Sequence, residues 1–218
     1  MRRIFLNHRL VFGVSMMENV ILIGYFVETV ELCEKCGCTI IGVVDDVEKG
    51  EYLYLGNDEV FSRESSKYID TPLVITPDNP KVREKIFSHY KRLGFHFKTL
   101  ISPEAIVSKS AVISEGCMIQ SLCNISSNSV LGYCVRVNTG ANIMHDAKIG
   151  DFSVVAPSSV VLGYVTIGNK AYVGANSTIL PHMSVGDEAI VGAGAVVTKP
   201  VEPKIVVVGV PAKVKRTV

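Results

Sequence analysis

From Ile101 onward every sixth residue is aliphatic: Ile101, Val107, Ile113, Ile119, Ile125, Leu131, Val137, Ile143, Ile149, Val155, Val161, Ile167, Val173, Ile179, Val185 and Val191. Four places after each stands a small or β-branched residue, from Ala105, Ala111, Cys117 and Cys123 through to Ala195, with Met183 the exception. Glycine often follows the aliphatic residue directly, as at Gly132, Gly150, Gly168, Gly174, Gly186 and Gly192. A period of six is neither the 3.6 of a helix nor the 2 of a long strand. It fits short strands joined by tight corners, with one bulky and one small side chain turned inward on each face. Three faces make a triangular coil of 18 residues, so these sixteen hexads predict a little over five coils. The coils stack at roughly 4.8 Å, the ordinary spacing of neighbouring strands. The pattern therefore predicts a left-handed parallel β-helix of hexapeptide repeats over residues 100–198. A capping tail, residues 199–218 with Pro200, Pro203 and Val208-Gly-Val-Pro-Ala-Lys213, can close one open end, and the preceding domain the other.

Ahead of the hexads the pattern changes. Asn19-Val-Ile-Leu-Ile-Gly24 reads as a buried parallel strand ending in glycine, Val27 to Lys35 as a helix stopped at Gly37, and Thr39 to Val44 as a second strand finishing in Asp45-Asp46. Leu73 to Ile75 is a third strand. Asn79-Pro80 supplies the N-cap and first-turn proline of a helix through about Leu93, and Phe97 to Leu100 leads into the coils. Strand–helix–strand order predicts a small Rossmann-like α/β domain within residues 1–99, with its ligand at the carboxyl ends of the strands, near Gly24 and Asp45-Asp46. After Gly24, however, come Tyr25, Phe26 and Val27, where a nucleotide-binding turn needs further glycines to let backbone approach phosphate. A docking domain with a vestigial pocket is thus a competing reading of this half.

Composition narrows the function classes. Net charge is +1, with 22 basic and 21 acidic residues and no long run of either sign, which argues against nucleic acid or a membrane surface as partner. No apolar stretch is long enough to span a bilayer. Asn7, His8 and Arg9 interrupt any signal-peptide core, and a second possible start at Met17 makes the first sixteen residues an extension; the expected location is cytoplasmic. Cys33, Cys36 and Cys38 form C-x-x-C-x-C, but a second ligand pair with zinc spacing is missing, so they read as ordinary thiols and no metal is expected. Cys117 and Cys123 occupy small inward positions of the hexads.

The α/β domain, the hexad array, Asn138-Thr-Gly-Ala-Asn-Ile-Met-His-Asp146 and the closing Gly209-Val-Pro-Ala-Lys213 together resemble the sugar acetyltransferases that include bacillosamine-pathway N-acetyltransferases and sialic acid O-acetyltransferases. The resemblance covers nearly the whole chain from Met17. It implies acetyl-coenzyme A as co-substrate, a homotrimer with coenzyme A in the groove between neighbouring prisms, His145 as general base and Asp146 as the acid that strengthens it. The chemistry agrees, because an amine or hydroxyl attacking a thioester must lose a proton, and imidazole suits that task near neutral pH. The family's coenzyme contacts fall on Gly163, Ala175 and Ala193, and a further one, commonly histidine, falls on Val154. The acceptor would touch Gly24, Tyr25, Phe26, Asp45, Asp46 and Asn138.

Counting in eighteens gives a geometric check. His145, Gly163 and Pro181 share one column, so Gly163 is expected to leave an empty lane beside the base where a thioester lies; Pro157, Ala175 and Ala193 form another low column. His182, one step past Pro181, is a weaker ligand candidate, and His8, His89 and His96 lie outside the repeat. The expected function is acetylation of the amino group of a nucleotide-linked amino sugar in surface-glycan biosynthesis. O-acetylation of a sialic-type sugar and a non-catalytic β-helix scaffold are the alternatives.

Overall fold

A computed structural model of the chain describes residues 18–218; the expected N-terminal extension lies outside the described residues. The fold divides into two compact units between Leu100 and Ile101.

The front unit is built on three parallel strands, β1 (Glu18–Ile23), β2 (Cys38–Val44) and β3 (Leu73–Ile75), in the order β2-β1-β3. The central strand carries Val20, Ile21 and Leu22, all with no exposed surface, as a strand covered on both faces must. Helix α1 (Val27–Lys35) ends at Gly37 with φ 70°. Asn57 caps a short α2 (Asp58–Arg63), accepting the Val60 amide at 3.0 Å. Asn79 caps α3 (Pro80–Arg92) by accepting the Lys81 and Val82 amides. The pattern of the sequence had shown α1, β3 and α3 but not α2, whose six residues are too few to display a helical period.

The second unit is the expected left-handed β-helix. Sixteen two-residue strands run from Ile106–Val107 to Val196–Val197 at a constant spacing of six. Each pairs in parallel with the strand eighteen residues on, as Arg136 with Val154 and Val154 with Tyr172. The strands form three faces. Arg136, Val154 and Tyr172 lie on the first, Asn142, Val160 and Thr178 on the second, and Lys148, Thr166 and Ser184 on the third. The aliphatic hexad residues fill the interior, with Val155, Val161, Val173 and Ile179 completely buried. Small inward positions accept polar residues because these donate to backbone: Ser153 Oγ to Gly168 O and Ser177 Oγ to Gly174 O, both at 2.6 Å, and Cys123 Sγ to Asn138 O at 3.1 Å. Ile205–Val208 then pairs with Ile190–Val191 and with Lys213–Thr217, adding a hairpin to the first face.

From the third corner onward each takes one residue in the left-handed region, at six-residue steps from Gly116 through Leu122, Asn128, Asp146 and Tyr164 to Gly194. Such a φ costs a non-glycine residue about 1 kcal/mol. An inter-coil bond at the same residue offsets it: the Asp146 amide donates to Ser127 O at 2.9 Å and the Tyr164 amide to His145 O at 3.1 Å. The glycines after the aliphatic residues answer a different need. Gly150 is not left-handed, yet a Cβ on it would stand 2.5 Å from the Gly168 carbonyl carbon and 2.6 Å from the Asn169 nitrogen. Backbone of the next coil cannot yield as a side chain can. Gly150→Ala should therefore destabilise the protein by about 1–3 kcal/mol, the usual cost of overpacking. A thermal melt equal to that of the unsubstituted protein would refute this account of the spacing.

Candidate active site

His145 and Asp146 sit at the corner between the second and third faces, following the strand Asn142–Ile143 and preceding Lys148–Ile149. The turn is closed by the Ala147 amide on Met144 O at 3.4 Å, and Asp146 takes its left-handed position with φ 59°. Aspartate is among the side chains best suited to that conformation. The same corner that bends the chain thus sets a carboxylate beside an imidazole: His145 Nδ1 lies 3.0 Å from Asp146 Oδ2. Asn128, one coil below, donates to Asp146 Oδ1 at 3.2 Å. The hydrogen bond from His145 holds the Asp146 carboxyl below the ordinary carboxylate value, against a small desolvation effect and with help from Asn128 and Tyr164. An ionised carboxylate only accepts, so the proton of neutral His145 resides on Nδ1 and leaves Nε2 as a lone pair.

Gly163 lies one coil above His145, and here the structure corrects the expectation of an empty lane. A Cβ at 163 would stand 2.7 Å from His145 Cε1 and 2.8 Å from Nε2. The lane is filled by the imidazole itself, whose Cε1–Nε2 edge rests over the glycine. Around it Met144, Leu162, Tyr164, Pro181 and His182 line a shallow cavity of about 310 Å³. The Tyr164 ring meets His145 edge-on at 5.3 Å and stacks on His182 at 4.9 Å. Tyr164 and Asn128 were not singled out in the sequence, although both stand in the Asp146 column at a spacing of eighteen.

The remaining expected coenzyme residues lie elsewhere on the prism. Ala175 and Ala193 occupy the corner between the first and second faces, as does Asn138. This corner and that of His145 flank the same second face, whose outward row is Asn142, Val160 and Thr178. Val154, by contrast, lies on the first face and has 0% exposure.

In the front unit, Gly24, Tyr25, Phe26, Asp45 and Asp46 do come together, lining a cavity of about 500 Å³ at the carboxyl ends of the strands, with Thr76, Asp78 and Lys85. Gly24 has φ 87°, and a Cβ on it would stand 2.5 Å from Thr76 Oγ1, so both backbone and space require glycine. Asp45 accepts the Tyr25 amide at 2.9 Å and pairs with Lys49 at 3.2 Å. Burial alone would raise its pKa, but the donors from Tyr25, Lys49 and Asp46 outweigh it and the carboxyl titrates below its ordinary value. The Tyr25 ring is turned toward Gly50, where a Cβ would stand 2.6 Å from it. Burial, with Cys38 and Cys36 adding to it, pushes the Cys33 thiol up to about 12, so it stays protonated at neutral pH. Among the described residues no group of three or more His, Cys, Asp or Glu is arranged to hold a metal ion, and no helix is long and apolar enough to cross a membrane.

The family model for bacterial transferase hexapeptide (six repeats) matches residues 164–199. No curated protein matches by sequence. Among solved structures the chain is similar to a histidine-to-alanine variant of GDP-perosamine N-acetyltransferase from Caulobacter crescentus, in complex with CoA and GDP-perosamine. Identity is 27%, with 92% of this chain and 98% of that one covered and a TM-score of 0.86. It is also similar to the acetyltransferase domain of PglB from Neisseria gonorrhoeae in complex with acetyl coenzyme A, at 26% identity over 92% and 100% of the two chains, TM-score 0.85. A third likeness is to WeeI from Acinetobacter baumannii, at 25% identity over 92% and 100%, TM-score 0.76. The fold, the hexads and these likenesses support an acyltransferase that carries the bacterial transferase hexapeptide repeat. The chain's resemblance to the sugar acetyltransferases that carry an α/β domain ahead of a left-handed β-helix is borne out over nearly its whole length.

Proposed function

We propose that the chain transfers the acetyl group of acetyl-coenzyme A to the amino group of a nucleotide-linked amino sugar, with His145 as general base. The observation that carries this reading is the imidazole held at Nδ1 by Asp146 Oδ2, 3.0 Å away, a contact that leaves Nε2 as the nitrogen available to accept a proton. As the sugar nitrogen attacks the thioester carbonyl, Nε2 takes the proton it loses, and collapse of the tetrahedral intermediate releases the coenzyme A thiolate. The smooth second face, flanked by Gly163 on one corner and by Ala175 and Ala193 on the other, suits an extended co-substrate. The front cavity has the volume of a small-ligand site and lies outside the carboxyl ends of the parallel strands, where open α/β sheets bind nucleotides. Nucleotide-linked sugars and acetyl-coenzyme A are cytoplasmic metabolites, which supports a cytoplasmic enzyme of surface-glycan biosynthesis.

The test is thiol release from acetyl-coenzyme A with a panel of GDP-, UDP- and dTDP-linked amino sugars set against free sialic acids. Turnover with one or more of the nucleotide-linked amines is expected. Turnover confined to sialic acids would replace N- by O-acetylation, and none with any acceptor would favour a scaffold.

A further inference from the structure

We propose that Tyr164 is a positioning residue that locks the imidazole of His145 in its working orientation, an inference that rests on His145 being the base. A single hydrogen bond from Nδ1 to Asp146 fixes one atom of the ring but leaves it free to tilt about that contact. Gly163 seats the ring from below, where a Cβ would stand 2.7 Å from Cε1, but has no side chain to hold its sides. The third restraint is the Tyr164 ring, perpendicular to the imidazole at 85° with centroids 5.3 Å apart, the edge-to-face geometry that aromatic pairs favour. Tyr164 is in turn held from behind, since His182 stacks on it at 4.9 Å and 4° from parallel.

The corner does not need tyrosine for its own sake. Tyr164 has φ 62°, a conformation that asparagine and aspartate adopt more readily, and Asn128, Asp146 and Asn176 occupy equivalent corners. Its ring is 53% exposed and takes no part in the prism interior, so core packing does not account for it either. What the side chain touches is the base on one face, a second imidazole on the other and, through its hydroxyl, the Asp146 carboxylate. Asparagine at the same corner would satisfy the backbone and remove the contact.

Three variants of the full-length protein decide the matter: Tyr164→Phe, Tyr164→Asn and, as reference, His145→Ala. They are assayed with acetyl-coenzyme A and the acceptor turned over fastest in the panel above. Tyr164→Asn is expected to lower kcat about tenfold, a fraction of what a 1 Å misplacement of a catalytic group can cost, with both KM values within about twofold. Tyr164→Phe keeps the ring contacts and loses only the hydroxyl, the weakest of the influences on Asp146, so kcat should stay within about twofold of the unsubstituted protein. A second readout needs no acceptor: peptide-mapped modification of His145 by diethyl pyrocarbonate should be several-fold faster in Tyr164→Asn and unchanged in Tyr164→Phe. Wild-type kcat and modification rate in Tyr164→Asn, or a Phe variant as impaired as the Asn variant, would overturn the inference. Activity surviving in His145→Ala would instead overturn the assignment of the base.

Discussion

Replacing His145 with alanine is expected to lower kcat by about 10²- to 10⁴-fold, the contribution of a well-placed general base. The KM for acetyl-coenzyme A should change little, because Ala175 and Ala193 of the proposed coenzyme surface lie on the other corner of the second face from the imidazole. The fold should be indifferent to the change. His145 is exposed, its backbone is not left-handed, and its hydrogen-bond partner is the half-buried Asp146. The melting temperature and the mass by light scattering, which the family resemblance leads us to expect at three chains, should both match the unsubstituted protein. Near-full activity in a folded variant would mean that another group takes the proton.

Gly163→Ala is the sharper experiment, because it adds one methyl group and removes nothing. That methyl would sit 2.7 Å from His145 Cε1 and 2.8 Å from Nε2, well inside contact distance, so the ring must swing away by about 1 Å. A displacement of that size is expected to lower kcat about 10²-fold. Stability should be preserved, since Gly163 needs no left-handed φ and the atoms it would meet belong to a movable side chain. Gly150→Ala is the natural contrast: the same added methyl meets backbone, so it should cost stability. If Gly163→Ala is fully active while His145→Ala is not, the imidazole tolerates displacement and the seat has no functional weight.

Much of this was legible in the sequence. Hexads from Ile101 to Val191 specify the coil because inward positions must be aliphatic or small wherever the interior is closed, and a period of six needs no tertiary information. The strand and helix signals of the front unit were equally local: buried runs at Val20–Ile23 and Leu73–Ile75, and the Asn79-Pro80 cap. Columns of eighteen brought His145 and Gly163 together before any coordinates, because a regular coil turns sequence distance into spatial distance. What they could not show was which atom fills the space at Gly163.

Side-chain direction, and what covers a face, are decided by neighbours far away in sequence. The family resemblance sets a coenzyme contact at Val154, whose burial no sequence pattern showed. Gly24 was legible as a pocket residue, while the turning of the Tyr25 ring toward Gly50 was not. By itself the sequence determined the coil, its register and the pairing of His145 with Asp146, all of which follow from local periodicity and adjacency. Only the tertiary structure decided that the imidazole rests on Gly163 and that Tyr164, backed by His182, braces it. Those facts depend on rotamers and on how successive coils stack, which no pattern of hydrophobic and polar residues encodes.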